Sequence, residues 1–429
     1  MALKILSIVE TRPSMIKIAA VCEAIQRFNR NASRPAIYHV LVHTGQARDT
    51  SSFGPYFNDL DLPKPDIFFG VASGMSPLQK TAVITDRFLG VLFQEQPAVV
   101  LVTGDVDSTL DCALVTKRIG WLGGAGQANL PALAHIEAGI RSFDRTSPRE
   151  VTRVVVDLLS DYLFTTEERF NRNLLQESVS PDHIHFVGSV LIDTLFRHRA
   201  LLDRSSILND LQLINGSCIK PFALLSLQHL CAAGDKNKLP ELQRAFSEIA
   251  RRMPVIFPAS PSVSKRIQEE NMAEYFIDHF LDGPEPWDAR VRIRLIPQLG
   301  YLDFVRLMAA AKVVFTDSSG VQEETRALDV PCITLVNNAS RPVTIADGVN
   351  NMVAGTDSER ILEAFFKSTQ EQSVRPELPK MWDGRASERI IDTLWNDFII
   401  GEAWNSLPAV LRKQGAPFPR ISSCENRRV

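Results

Sequence analysis

Apolar residues lie along the chain in short blocks, with longer amphipathic stretches between them. In the first half the blocks are 4–9, 37–42, 98–103, 132–136, 162–165 and 185–187; in the second half they are 222–227, 255–258, 293–296, 313–316 and 332–336. Each is 3–6 residues long and rich in Val, Ile, Leu or Phe. Blocks apolar on both faces predict strands buried in a parallel sheet. The stretches between them space their apolar residues as helices do, as at Ile16, Ala19, Ala20, Ala24 and Ile25. Strands alternating with helices predict an α/β fold of doubly wound parallel sheets. The series runs twice, which predicts two Rossmann-like domains. Residues 1–195 form the first, 196–220 a linker with the loop signal Asn215-Gly216-Ser217, and 221–400 the second; 401–429 are a tail without a period. Ligands of such sheets bind at the carboxyl ends of strands, so the cleft between domains is the expected site.

Composition narrows the class. With 429 residues, 45% of them hydrophobic and a formal charge of −3, the chain is too apolar to be disordered and has no global pull toward nucleic acid or acidic membranes. The cysteines at 22, 112, 218, 231, 332 and 424 form no CxxC pair, which fits a reducing compartment and argues against a structural zinc site. No clustered His, Cys or Asp spacing predicts a metal. No apolar run is long enough to span a membrane, and Glu10 and Arg12 interrupt the only candidate leader. A cytoplasmic protein is expected. The chain has no GxxxxGK[ST], GxGxxG, GxSxG or HExxH, which disfavours P-loop, dehydrogenase, α/β-hydrolase and zincin chemistries.

Candidate chemistry sits where the blocks end. Arg12, in Glu10-Thr11-Arg12-Pro13, falls at a helix start and is an anion-binding candidate or a plain surface arginine. Asp105 and Asp107 follow 98–103, as substrate-facing groups or, for Asp107 and Ser108, as helix caps. Glu137 lies between a block and a flexible turn, an acid/base candidate for which His135 or Arg141 would be a natural partner. Ser318, Ser319 and Gly320 offer N–H groups to a phosphate, with Glu323 and Glu324 one turn in; a capping box of Ser319 and Gln322 fits the same residues. Phe304 is a base-stacking candidate, although its spacing reads more simply as core.

In order, these motifs resemble the non-hydrolysing UDP-N-acetylglucosamine 2-epimerase family. The matching stretches are ETRPSMIKIAAV, HTGQARD, LVTGDVDSTL, HIEAGIRS, SPREVTR, DYLFTTEE, VGSVLIDTL, GYLDFVRLM, TDSSGVQEE and the SRP…GTD stretch at 340–357. The resemblance implies a glycosyltransferase-B-like fold, no external cofactor, a UDP-sugar as small-molecule partner, and a homodimer. It also implies inversion at carbon 2 through elimination and re-addition of UDP. Arg12 matches a diphosphate contact, and Asp105 and Glu137 match catalytic carboxylates. Ser318, Ser319 and Gly320 match the phosphate turn, Glu324 the ribose ligand, Phe304 the residue on uracil, and Arg341 an arginine of the closing loop.

The chain also departs from the family. Pro-Glu-Glu-x-Asn-Arg is here Pro148-Arg149-Glu150-Val151-Thr152-Arg153, so a catalytic carboxylate has become Arg149, with Glu150 beside it as a substitute. A His-Arg pair aligns with Gln228-His229, and His229 takes the histidine's role if the register slips by one. Ser260 stands for another histidine, and Ser340 and Val343 for acidic residues. A carboxylate replaced by a permanent cation alters the chemistry at carbon 2. Three readings follow. One is an epimerase on a related nucleotide sugar, with Arg149 meeting a carboxylate or extra phosphate. Another is a glycosyltransferase with Asp105 or Glu137 as base. The third is a nucleotide-sugar-binding protein without turnover.

Overall fold

The computed structural model describes residues 2–31, 35–45, 57–71, 74–119, 130–227, 238–269, 276–278, 293–336, 351–370 and 377–406. Contacts divide the chain into two compact units, Met1–Thr194 with Lys380–Val429, and Leu195–Pro379.

In the first unit the strands are β1 Lys4–Val9, β2 Tyr38–His43, β3 Ile67–Phe68, β4 Val99–Thr103, β5 Ala132–Ile136, β6 Tyr162–Thr165 and β7 Ile184–Phe186. They form one parallel sheet in the order β3-β2-β1-β4-β5-β6-β7. The order reverses between β1 and β4, the point where an open sheet splays its connecting turns apart and admits a ligand. Leu6, Ile8, Val42, Val100, Val102 and Leu133 pack against Phe88, Leu92, Cys112 and Val156 of the covering helices. Burying each large aliphatic side chain stabilises the sandwich by roughly 1.5–3 kcal/mol.

The chain returns to this unit after residue 379. Gly188 (φ +93°) makes room, because a Cβ there would lie 2.1 Å from the Met381 carbonyl oxygen. Trp382 is buried, its indole N–H donating to the Thr166 carbonyl (3.4 Å). Asp193 accepts from the Ala386 N–H (3.1 Å), the Ser387 N–H (2.7 Å) and the Ser387 hydroxyl (2.7 Å), capping helix Ala386–Ser406. That helix lies on helix Arg12–Asn29, with the Phe28 and Trp395 rings 4.9 Å apart. The sequence pattern assigned 380–400 to the second domain; its apolar stripe is instead buried on the first. The helix also runs past the expected start of the tail at 401, while 407–429 lie outside the described residues.

In the second unit a short hairpin, β8 Ile214–Asn215 and β9 Cys218–Ile219, turns at Gly216 (φ +62°), where the loop signal stood. The sheet consists of β10 Ala223–Ser226, β11 Val255–Ala259, β12 Phe276–Asp278, β13 Ile293–Pro297, β14 Val313–Thr316, β15 Cys332–Thr334 and β16 Asn351–Val353. It is parallel throughout, in the order β12-β13-β11-β10-β14-β15-β16, and reverses between β10 and β14. Leu225, Phe257, Phe315 and Ile333 meet Phe246, Ile249, Ile361 and Phe365 in its core. The expected linker is structured and belongs to this unit: helix Ile207–Asp210 packs on helix Tyr301–Ala310, and the Ser205 hydroxyl donates to Asp303 (2.6 Å).

All eleven predicted blocks are strands. The sheet strands missed, β3, β12 and β16, have only two or three residues.

Candidate active site

The first unit gathers polar groups at its β1/β4 reversal. Thr11 is the N-cap of helix Arg12–Asn29, and Arg12 and Pro13 occupy its first turn. The Ser14 hydroxyl accepts from the N–H groups of Glu10 (3.1 Å) and Thr11 (3.0 Å) and donates to the Thr11 carbonyl (2.7 Å), which fixes the turn presenting Arg12. Across the reversal Ser108 donates to Glu10 (2.6 Å). The capping alternative for Asp107 and Ser108 does not hold, since Val106 is the N-cap and Ser108 is engaged by Glu10.

Asp105 and Glu137 leave the ends of neighbouring strands β4 and β5, and each is held by a cation. Arg153 is bonded to Asp105, and Lys17 to Glu137. The expected partners of Glu137 are engaged elsewhere. His135 bridges Asp157 (2.6 Å) and the Gly104 carbonyl (3.0 Å). Arg141 donates to Asp157 (2.7 Å) and, through two nitrogens, to Glu177 (2.7 and 2.6 Å). Asp157 also accepts from the Gly139 N–H (2.9 Å). Burial alone would raise the Asp157 carboxyl, but His135, Arg141 and this N–H together hold it below the usual carboxylate range.

Glu137 itself sits at φ +70°, a left-handed conformation that costs a non-glycine residue about 1–3 kcal/mol and collects at functional sites. Both N–H groups of Glu137 and Ala138 donate to the Phe164 carbonyl (3.0 and 3.1 Å), which holds the strained turn. Gly104 turns with φ +72°, a backbone conformation that favours glycine, beside Lys17.

Helix Pro148–Leu159 begins with Pro148 at its first position, which pre-sets the backbone angle of the opening turn. Arg149 is exposed, whereas Glu150 is buried. Glu150 accepts from the N–H groups of Ser142 and Phe143 (2.8 Å each), the Ser142 hydroxyl (2.9 Å) and Arg153 (3.3 Å). Burial opposes its ionisation, but these donors outweigh it and hold the carboxyl below its ordinary range. Both oxygens of Glu150 are thus committed to the 142–143 turn, and Arg153 links it to Asp105.

In the second unit β14 ends at Thr316, and Asp317 follows it. Ser318 is the N-cap of helix Ser319–Leu328 and makes no side-chain capping bond, so the box of Ser319 and Gln322 is absent. The first intrahelical bond is Gln322 N–H to the Ser318 carbonyl (3.2 Å), which leaves the amides of Ser319, Gly320 and Val321 without an intrahelical acceptor. One turn in, Glu324 is fully buried and accepts from the Tyr301 hydroxyl (3.0 Å). Burial first, and Glu323 second, push its carboxyl up to about 8 against the pull of that bond. Phe304 is half-buried, while Tyr301, Val305, Leu307 and Met308 form the buried face of its helix. Phe304 therefore stands off the core that its spacing suggested. Ser260 is a local cap, its hydroxyl accepting from the Val263 N–H (3.3 Å).

Gln228, His229 and Arg341 lie outside the described residues, as do Ser340 and Val343. Among the described residues no group of three or more His, Cys, Asp or Glu is placed to hold a metal ion, and no helix is long and apolar enough to cross a membrane. Lys17, Arg153, Asp157 and Tyr301 were not singled out from sequence. Lys17 carried the best signal: a lone cation in the apolar run Met15–Val21 needs a buried partner.

Two all-parallel, doubly wound α/β units with polar turns at their reversal points define a glycosyltransferase-B-like protein. The UDP-N-acetylglucosamine 2-epimerase family profile matches residues 29–395, and the chain belongs to that family. It is 31% identical over 396 residues to a UDP-N-acetylglucosamine 2-epimerase homolog of Methanococcus maripaludis, covering 92% of this chain and 100% of the relative. It is 28% identical to the UDP-2,3-diacetamido-2,3-dideoxy-D-glucuronate 2-epimerase of Pseudomonas aeruginosa, over 91% of this chain and 99% of that one. The crystal structure of Methanocaldococcus jannaschii UDP-GlcNAc 2-epimerase in complex with UDP-GlcNAc and UDP superposes with a TM-score of 0.78 at 29% identity, covering 92% of this chain and 100% of that one.

Proposed function

We propose that this chain is a nucleotide-sugar 2-epimerase acting on a UDP-hexosamine-type substrate, with Arg149 selecting an acidic group on the sugar. The observation that carries this reading is the pair of cation-held carboxylates on neighbouring strand ends, Asp105 with Arg153 and Glu137 with Lys17. One carboxylate takes the proton from carbon 2 while the bond from carbon 1 to the diphosphate oxygen breaks, giving a glycal and UDP. UDP then adds back to carbon 1 as a proton reaches carbon 2 on the opposite face. Such acid–base work is worth roughly 10²–10⁴-fold per group. The strain at Glu137 and its ion pair fix the carboxylate's direction before substrate arrives.

In this reading the second unit holds the nucleotide. The amides of 319–321 take phosphate, Glu324 the ribose hydroxyls and Phe304 the uracil, with Gln228 and Arg341 as further ligands and His229 as a catalytic group. Arg12 takes the leaving diphosphate, on which charge develops as the carbon–oxygen bond breaks. Glu150, with both oxygens committed to the 142–143 turn, acts as a positioning residue for Arg153 and Asp105. Arg149, exposed at the start of the same helix, supplies a guanidinium suited to a carboxylate; the Pseudomonas aeruginosa relative is named for a glucuronate substrate. No external cofactor enters the scheme. A homodimer in the cytoplasm completes the reading.

The test is to supply UDP-N-acetylglucosamine and a UDP-hexosaminuronate separately and to separate epimers and free UDP by chromatography. The reading expects a carbon-2 epimer, more rapidly from the uronate, and a preference that Arg149→Glu reverses. Release of UDP only when an acceptor alcohol is added would favour a transferase, a reading to which Arg149 in place of a family carboxylate lends support. Binding without either product would leave only a carrier role.

A further inference from the structure

We propose that Tyr301 is the positioning residue of the ribose site and that nucleotide binding there expels a proton from Glu324. The proposal rests on the reading of Glu324 as the ribose ligand.

Glu324 is almost completely buried; among the described residues no cation is bonded to it, and its one hydrogen bond is from the Tyr301 hydroxyl at 3.0 Å. A phenol is a neutral donor near pH 7, so it orients a carboxyl without compensating a charge. Tyr301 is itself buried at the first position of its helix, and the edge-to-face contact with His198 (5.6 Å between ring centroids) fixes its ring. Glu323, next in sequence and buried, adds a second carboxyl to the same helix. The elements packed on this helix bring Tyr301 from helix Tyr301–Ala310, Asp317 from the end of β14 and Cys332 from β15. The Cys332 thiol, pushed up to about 12 by burial, carries no charge. Arg326, on the same helix, donates to the Glu377 carbonyl (3.1 Å). Burial and Glu323 thus leave Glu324 protonated at pH 7, its carboxyl at about 8.

A ribose presents two adjacent hydroxyls, each able to donate. A neutral carboxyl gives up one oxygen to its own proton and meets the diol and Tyr301 with uncharged hydrogen bonds only, about half as strong as those to a carboxylate. The ionised carboxylate accepts both ribose hydroxyls and the Tyr301 hydroxyl as well. Binding therefore exchanges one proton, released to solvent, for two hydroxyl hydrogen bonds, and Tyr301 holds the oxygens in place during the exchange. A group that titrates at about 8 is competent in roughly a tenth of molecules at pH 7, which weakens apparent affinity about tenfold.

The experiment is calorimetry of UDP binding to the full chain from pH 7 to 9, in two buffers of different ionisation enthalpy. The secondary phosphate ionisation of UDP, near 6, is about nine-tenths complete at pH 7 and contributes only about a tenth of a proton. The expected result is close to one proton released per UDP at pH 7 and a Kd that falls about tenfold by pH 9. Glu324→Gln should bind more weakly with neither proton release nor pH dependence. Tyr301→Phe, which loses only the hydroxyl, should release its proton at higher pH. Flat affinity and no proton release in the parent chain, with binding still weakened by Glu324→Gln, would overturn the proposal and leave the ribose assignment standing. No binding of UDP at all would overturn both. Proton release that persists in Glu324→Gln would overturn the role of Glu324, and a Tyr301→Phe profile superimposed on the parent's would overturn that of Tyr301. The proton counts of the parent and of Glu324→Gln decide the exchange even if Tyr301→Phe does not fold.

Discussion

Glu324 keeps its proton in the folded chain across a range where the unfolded chain has lost it, and this has a sign. Its folded value, about 8, lies above the ordinary glutamate value of 4.5, so the native state binds more protons than the unfolded one between them. Its stabilising contribution is complete below about 4.5 and fades as pH rises through about 8. Without nucleotide, denaturant melts between pH 5 and 8 should show this decline, and Glu324→Gln should flatten it. Asp157 has the opposite sign. Its depressed carboxyl stabilises the fold at neutral pH and ceases to do so on acidification below the ordinary carboxylate range. Arg141→Ala strips the cation from a buried carboxylate and should cost about 3–5 kcal/mol in urea unfolding, whatever its effect on turnover. Asp105 and Glu137 were legible in sequence because a polar residue closing an apolar strand block has few other reasons to be there. Their partners were not. Lys17 lies 120 residues from Glu137, and only the fold shows that Arg141 and His135 serve Asp157 instead.

Helix Pro148–Leu159 turns its charges inward. Glu150, Arg153 and Asp157 share one face at helical spacing and are buried or nearly so, while Val151 and Leu158 are exposed. A hydrophobic pattern read alone assigns the opposite face to the core. Such an inversion is where local rules give way to a buried polar network, here Glu150 and Arg153 linked to Asp105. Helix Ala386–Ser406 was misassigned for a different reason. Its apolar stripe is genuine, but no local signal says which of two sheets it covers; that choice depends on Asp193, 193 residues upstream. Asp193→Ala should cost about 1–2 kcal/mol, as loss of an N-cap does, and lower Tm without moving the Kd for UDP. Gly188→Ala is the harsher change, since its Cβ meets the Met381 carbonyl, and should lower Tm further.

For the whole molecule, strand–helix alternation was sufficient to read two doubly wound units, because buried parallel strands are apolar on both faces and announce themselves. The strand order, with its reversals at β1/β4 and β10/β14, is what gathers the polar strand ends of each unit around one point. Family membership adds the expected chemistry, and the sequence sets Arg149 where the family pattern has a carboxylate. If the proposed roles hold, Glu137→Gln should lower turnover roughly 10²–10⁴-fold while leaving UDP affinity unchanged. The central claim is that a carboxylate on this scaffold removes and returns the proton at carbon 2. The direct measurement is proton NMR of the UDP-hexosamine substrate incubated with the protein in D₂O. Deuterium accumulating at carbon 2 of both epimers, and lost in Glu137→Gln, is the predicted result. A substrate pool that retains its carbon-2 proton while UDP binding is saturated would contradict it.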